Sequence, residues 1–447
     1  MKISGTTTLL ALAVTAASAS QVILDSFLDD ARAQHGSFEQ LYQAHPGYNL
    51  DLEEKRLIQL GPSDPPLVLS EFEKIELKAQ GVNFLDITDS ADLGSYAHLC
   101  ATARSSFPAP NATEEVNSVI KKLTTEDMIS NLETFTSFRT RYYRSDITES
   151  FASESLRDQI SIAEFPHSWN QNSIAPTRIG TSIVLSFESA GKEYGVPIDS
   201  ALSTSSAHTW PFLPAPGARR HLTSVYIPTH FHSSSPSTGF PPGADDDGSG
   251  TMSILEAYRG LISAGFQPKR TVEFHFYSAE EGGLLGSQAV ARDYESRGVN
   301  VIAMSQFDMT AWIKRGTVES IGIIVDFTDN GLTGFNKQLV EKYIDIPYVE
   351  TRCGYACSDH ASWSKAGYQA IFTIGMLIIL GSDTMVELDS FSTLFFDAES
   401  AFEESNKYIH SGNDRIDISD EFSFEHMLHF SKLAAAFAIE LGQWDKE

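Results

Sequence analysis

The chain is poor in positive charge, poor in cysteine, and without any long apolar run. Its 447 residues hold 32 lysines and arginines against 59 aspartates and glutamates, a net charge of −27. A surface of that sign repels phosphate backbones and anionic headgroups, which argues against nucleic acid or a charged membrane as partner. After the N-terminus no segment reaches the roughly 18 uninterrupted apolar residues of a bilayer-spanning helix. Three cysteines are too few for a zinc module built on two cysteine pairs. There are no internal repeats.

What is present points to a large exported globular protein. Hydrophobic residues make up 42%, enough for a real core, and the length accommodates one large domain or two to three smaller ones. Residues 1–19 read as a secretory signal: Lys2, an apolar run over 9–17, then Ala17-Ser18-Ala19 as a small-residue cleavage site. Asn111-Ala112-Thr113 is a glycosylation sequon in a Pro/Ser-rich loop. Cys353 and Cys357 frame three residues, a spacing that suits a local disulfide in an oxidising compartment, and Cys100 is left single. Residues 20–88 are rich in Asp, Glu and Lys and hold no ligand cluster; behind an export signal they read as a propeptide, or else as an ordinary N-terminal subdomain. The spacing of Val116, Ile120, Leu123, Met128, Leu132 and Phe135 predicts helix over 113–143.

Further along, strands alternate with helices. Residues 224–228 read as a strand ending at His230. Met252, Ile254, Leu255, Tyr258, Leu261 and Ile262 mark one helix face. Val272, Phe274 and Phe276 alternate with Glu273 and His275 in a strand ending at Glu280 and Glu281, and residues 301–307 form a third, ending at Asp308. Three chemistry-bearing stretches thus follow carboxyl ends of strands, where open α/β sheets build their sites. The expected fold class is α/β: three-layer α/β/α with a mixed, mostly parallel central sheet.

A bare Asp245-Asp246-Asp247 run is an ordinary solvated turn, and Glu280-Glu281 alone says no more. Combined with His230, Asp308 and His410 they supply two imidazoles, two terminal carboxylates and one carboxylate able to bridge. That donor set suits a pair of Zn²⁺ ions about 3.5–4 Å apart, with one glutamate left over for proton transfer. His360, near a helix start, reads as structural. His167 and His208 lack partners at metal spacing, and Asp247 reads as support for its loop.

The stretches 242–250, 277–288 and 353–363 together resemble the secreted di-zinc aminopeptidases of metallopeptidase family 28, leucyl aminopeptidase type. The likeness spans residues 113–447, and 75–78 with 83–88 are similar to that family's inhibitory propeptide. The resemblance implies a propeptide over 20–88 and a zinc-exopeptidase catalytic domain over 89–447. It implies two Zn²⁺ per chain bridged by Asp246, with Glu281 and His410 completing one set and His230 and Asp308 the other. Glu280 would be the general base, and Tyr355, in the Cys353–Cys357 loop, a donor to the oxyanion. The implied partners are peptides with a free N-terminus and the chain's own propeptide, in an extracellular monomer.

The chain departs from the pattern twice. His232 stands where the family carries an aspartate that orients the ligand histidine. This leaves weaker metal binding, an extra ligand, or a slow paralogue open. Residues 375–398 interpose an apolar segment before His410 and read as translated intron. The runner-up functions are a related exopeptidase or glutaminyl-cyclase-like enzyme on the same scaffold, and a non-catalytic zinc-containing binding protein.

Overall fold

The computed structural model describes residues 51, 53–61, 64–79, 82–101, 105–137, 171–173, 183–187, 223–230, 242–378 and 405–445. The signal at 1–19, His167, His208, His232 and residues 379–398 lie outside them.

The first folded unit is a small antiparallel sheet, ordered β2-β1-β3, from β1 (Lys55–Gln59), β2 (Leu67–Ser70) and β3 (Leu85–Asp86), with helix α1 (Glu71–Ala79) inserted before β3. Helix α1 starts on a capping box. Ser70 N–H donates to Glu73 Oε2 at 2.6 Å, and Glu73 N–H donates back to Ser70 Oγ at 3.2 Å. The interior sets an ionic cluster beside the buried side chains of Ile58, Ile75 and Ile87. Buried Asp86 accepts from Arg56 Nε at 2.7 Å and from Lys74 Nζ at 3.1 Å, and Lys74 also meets Glu71 at 3.0 Å.

Helix α2 (Ala97–Ala101) then leads to α3 (Thr113–Ile120) and α4 (Glu126–Thr136). The single helix expected over 113–143 is therefore two, with 138–143 outside the described residues. The break falls at 121–125, where Leu123 turns into the core and Thr124 N–H donates to Glu256 at 2.7 Å. The β-branched Thr124 and Thr125 lower helix propensity there, and Glu126 and Asp127 favour a new helix start.

The main sheet has eight strands among the described residues, ordered β10-β9-β11-β8-β6-β7-β5-β4. They are β4 (Gln171–Ser173), β5 (Ile183–Phe187), β6 (Thr223–His230), β7 (Thr271–Tyr277), β8 (Asn300–Asp308), β9 (Val318–Ile324), β10 (Tyr348–Thr351) and β11 (Ala370–Ile378). The central run β11-β8-β6-β7 is parallel; β9 and β5 join it antiparallel. Helices α5 (Gly250–Ala264), α6 (Leu285–Arg297), α7 (Asn330–Tyr343), α8 (His360–Lys365) and α9 (Phe424–Gly442) complete the chain. One face is covered by α3, α4, α5, α7 and α9. The other is covered by α6 and α8, with Tyr294 and Trp363 packed on Tyr277 and Met304. This is the three-layer α/β/α architecture expected. Among the described residues no helix is long and apolar enough to cross a membrane.

Strand β7 differs from a half-exposed strand. His275 is fully buried, its Nε2 paired with Glu273 at 2.9 Å and its Nδ1 with Tyr277 Oη at 3.1 Å, under Trp363. The alternation marks two buried faces, one lined by a satisfied polar network. Residues 375–378 of the apolar segment complete β11, paired with β9 from Gly375 opposite Ile321 to Ile378 opposite Val318.

Candidate metal centre and active site

Loops at the carboxyl ends of β6, β7 and β8 meet the loop before α9, and each needs an unusual backbone. The kinked turn Ala244–Ser249, entered through Gly243 at φ +60° and leaving helical conformation at Asp246 and Asp247, carries the three aspartates. Ala279, Met309 and His410 take φ of +58°, +51° and +57°. Left-handed conformations at non-glycine residues cost energy and concentrate at functional sites.

Two of the aspartates are struts. Asp247 accepts the N–H groups of Gly250 at 2.9 Å and Met309 at 3.1 Å. Asp245, fully buried, accepts Ala311 N–H at 3.0 Å and Asn406 Nδ2 at 3.1 Å. Asp414 takes the N–H groups of both Asp245 and Asp246 at 3.0 Å, tying this turn to the loop that carries His410. Burial and the charges of Asp245 and Asp246 push the Asp414 carboxyl up to about 8.

Asp246 is the aspartate that lines the cavity. His410 Nε2 lies 3.0 Å from Asp246 Oδ2 and 3.2 Å from Glu281 Oε1. One donor atom from each of the three falls within 4.8 Å of the others. Asp308 borders the same cavity and accepts Ser358 Oγ at 2.7 Å. Glu280 and Tyr355 line it too. His230 is the last residue of β6, its backbone opposite Tyr277; its side chain lies outside the described residues.

The electrostatics show what these carboxylates demand. Burial alone would raise the Glu281 carboxyl, yet His410 and Lys78 hold it well below its ordinary range. Burial disfavours charge on His410, but Glu281 and Asp246 outweigh it and raise the imidazole to about 10. Lys78 Nζ stands 2.5 Å from Glu281 Oε2. The imidazole of His410 and the ammonium of Lys78 thus face carboxylates whose type and convergence fit a Zn²⁺ ion. Burial and then the neighbouring carboxylates keep the Tyr355 hydroxyl protonated well beyond neutral pH, so it remains a donor.

Cys353 and Cys357 form the expected disulfide, and Asp326 accepts the N–H groups of Cys353 and Gly354 at 3.2 and 2.8 Å. Cys100 is free. His360 is buried and stacked on Phe372 at 5.1 Å, and burial lowers its imidazole to about 3. Asn111 is exposed at the entry to α3. Sequence reasoning missed Asp414, Asn406, Asp326 and Ser358 as supports, and Lys78 as a neighbour of the site. Of these only Asp414 carried a hint, four residues after His410.

The family model described as peptidase family M28 matches residues 216–435. Leucine aminopeptidase 1 of Colletotrichum graminicola is 39% identical over 413 residues, covering 88% of this chain and 87% of the relative. The chain belongs to peptidase family M28. Leucine aminopeptidase 1 of Penicillium rubens is likewise 39% identical, over 87% of this chain and 90% of that M28 relative. The fold matches LapA aminopeptidase of Legionella pneumophila with a TM-score of 0.65, at 23% identity over 89% of this chain and 96% of that one. M28 membership makes the chain a peptide hydrolase and implies dependence on zinc.

Proposed function

We propose that this chain is an exported aminopeptidase that uses two Zn²⁺ ions to release N-terminal leucine or other large apolar residues from peptides. Residues 20–88 are its inhibitory propeptide and 89–447 its catalytic domain. The observation that carries the reading is the convergence of Asp246, Glu281 and His410 in the cavity that Asp308, Glu280 and Tyr355 also line. The relatives are leucine aminopeptidases, which supplies the substrate class.

His230, Asp246, Asp308, Glu281 and His410 would hold the two zinc ions, Asp246 between them. When bound, the ions supply Lewis acidity that polarises the scissile carbonyl and acidifies a water. Glu280 takes the proton of the attacking water and delivers it to the departing amine, so the carboxylate is regenerated each cycle. Tyr355 donates a hydrogen bond to the carbonyl oxygen as negative charge develops on it. Its loop is held by the disulfide and by Asp326, so the hydroxyl is positioned in advance. Met309, Phe372, Ile374 and Ile409 give the cavity an apolar wall suited to a leucine side chain.

Residues 1–19 are the export signal and Asn111 the glycosylation site of a monomer. The expectation that residues 375–398 are translated intron meets a correction at its start, since 375–378 complete β11 against β9; for the remainder a spliced message that still encodes it sinks that reading. The test of function is propeptide-free protein assayed on leucine p-nitroanilide, with zinc content measured alongside. Hydrolysis lost to a chelator and restored by zinc supports the reading. A second reading, a slowed or purely zinc-binding paralogue, rests on His232. Full zinc occupancy without hydrolysis would favour it.

A further inference from the structure

We propose that Lys78 is a tethered cation that competes with a metal ion for Glu281, so that the N-terminal unit and the metal oppose one another at that carboxylate. The inference rests on the reading of Glu281 as a zinc ligand. A lysine in the last turn of a short helix ordinarily ends in water, where its hydrated ammonium costs nothing. Lys78 instead reaches into the cavity, its side chain only 21% exposed, with Nζ 2.5 Å from Glu281 Oε2. The other oxygen of the same carboxylate faces His410 at 3.2 Å. Both carboxylate oxygens of Glu281 therefore face a cationic or imidazole nitrogen. A divalent ion arriving between Asp246 and Glu281 meets the repulsion of an ammonium already ion-paired with one of its ligands.

This contact is fixed by a folded unit. The capping box at Ser70 and Glu73 sets where α1 begins, and the Arg56, Lys74, Glu71 and Asp86 cluster locks it on the small sheet. The sheet docks beside the ligand through main chain. Asp86 N–H donates to Gly283 carbonyl at 3.2 Å, and Gln288 Nε2 donates to Asp86 carbonyl at 3.0 Å. Gly283, two residues after Glu281, has φ +100°, and a Cβ there would stand 2.5 Å from Asp86 N. Asn83 and Phe84 of the same unit line the cavity beside Lys78. The unit thus delivers one ammonium to one carboxylate. By linkage, the factor by which it weakens zinc binding equals the factor by which zinc weakens its docking.

The test uses the full chain, stripped of metal and titrated with zinc against a fluorescent chelator. Amide exchange over 71–79 is followed with and without zinc. Removing a competing ammonium at this distance should make Lys78→Met bind zinc about tenfold or more tightly than the native chain. In the native chain zinc should speed exchange in 71–79, and in Lys78→Met it should not. Matching circular dichroism of the two proteins verifies that both fold. Glu281→Gln separates the two claims. If it weakens zinc while Lys78→Met binds zinc within twofold of the native chain, the competition is refuted and the ligand reading stands. If Glu281→Gln leaves zinc affinity unchanged, the ligand reading fails and takes the competition with it.

Discussion

Replacing Asp86 by alanine should open the N-terminal unit without touching the catalytic sheet. The Asp86 carboxylate is 1% exposed and accepts from Arg56, Lys74 and Thr88. Its removal leaves the buried cations Arg56 and Lys74 with Glu71 as the one buried anion they still share. Breaking a buried pair by deleting one partner costs about 3–5 kcal/mol. At about 1.4 kcal/mol per decade, the opened fraction of the unit rises roughly 10²- to 10³-fold or more. Amide exchange over 55–79 should speed by that factor while β8 and α9 keep their protection, and limited proteolysis should remove the unit faster. Equal protection over 55–79 in the variant, or equal loss in β8, would refute the reasoning. The pH dependence follows from the same cluster. Burial pushes the Asp86 carboxyl up, but Lys74, Arg56 and Thr88 outweigh it and hold it below its ordinary value. A group depressed on folding contributes stability that is present above its unfolded pKa, about 3.9, and lost as pH falls through the folded value. Acid should therefore open the native unit below about pH 4, and this step should vanish in Asp86→Ala.

Three further perturbations probe the site in the propeptide-free enzyme. Glu280→Gln should lower kcat by about 10²–10⁴ while zinc content and melting temperature hold, as expected for loss of a general base. Asp414→Ala takes the acceptor from two backbone N–H groups. At about 1–3 kcal/mol for each buried donor left unsatisfied, it should lower the melting temperature and weaken zinc in a chelator competition. Replacing Cys353 and Cys357 by serine should cut kcat severalfold through a looser Tyr355, with little change in melting temperature. The bridge closes a loop of separation four, and short loops restrict the unfolded chain least.

The parts legible in the sequence were those written in local periodicity or in residues with few alternative uses. The strand ends at His230 and Asp308 followed from apolar runs that stop at an acid or imidazole. The inward face of α5 followed from its three-to-four spacing. The Cys353–Cys357 bridge followed from proximity alone. Residues that act through distant partners were not legible. Asp414 bonds to backbone 168 and 169 residues away, so no spacing marks it as a strut. His275 alternates like a solvent-facing residue because periodicity cannot tell water from a second buried layer of tyrosine and tryptophan. Lys78 looks like any basic residue in a last helical turn, where the dipole already favours it; only the docking of β3 on Gly283 turns it into the cavity. The break at 121–125 was set by Glu256 and Leu123 reaching across the fold, which outweighs the helical pattern of 113–136.

The central claim is a zinc pair held around Asp246 by side chains at the carboxyl ends of the strands and from the loop before α9. Anomalous diffraction across the zinc edge, from crystals of the propeptide-free enzyme, tests it most directly. Two peaks flanking Asp246, one against Glu281 and His410 and the other against Asp308 and His230, are the expected result. No peak at Asp246 from protein that hydrolyses leucine p-nitroanilide, or zinc bound elsewhere on the chain, would contradict it.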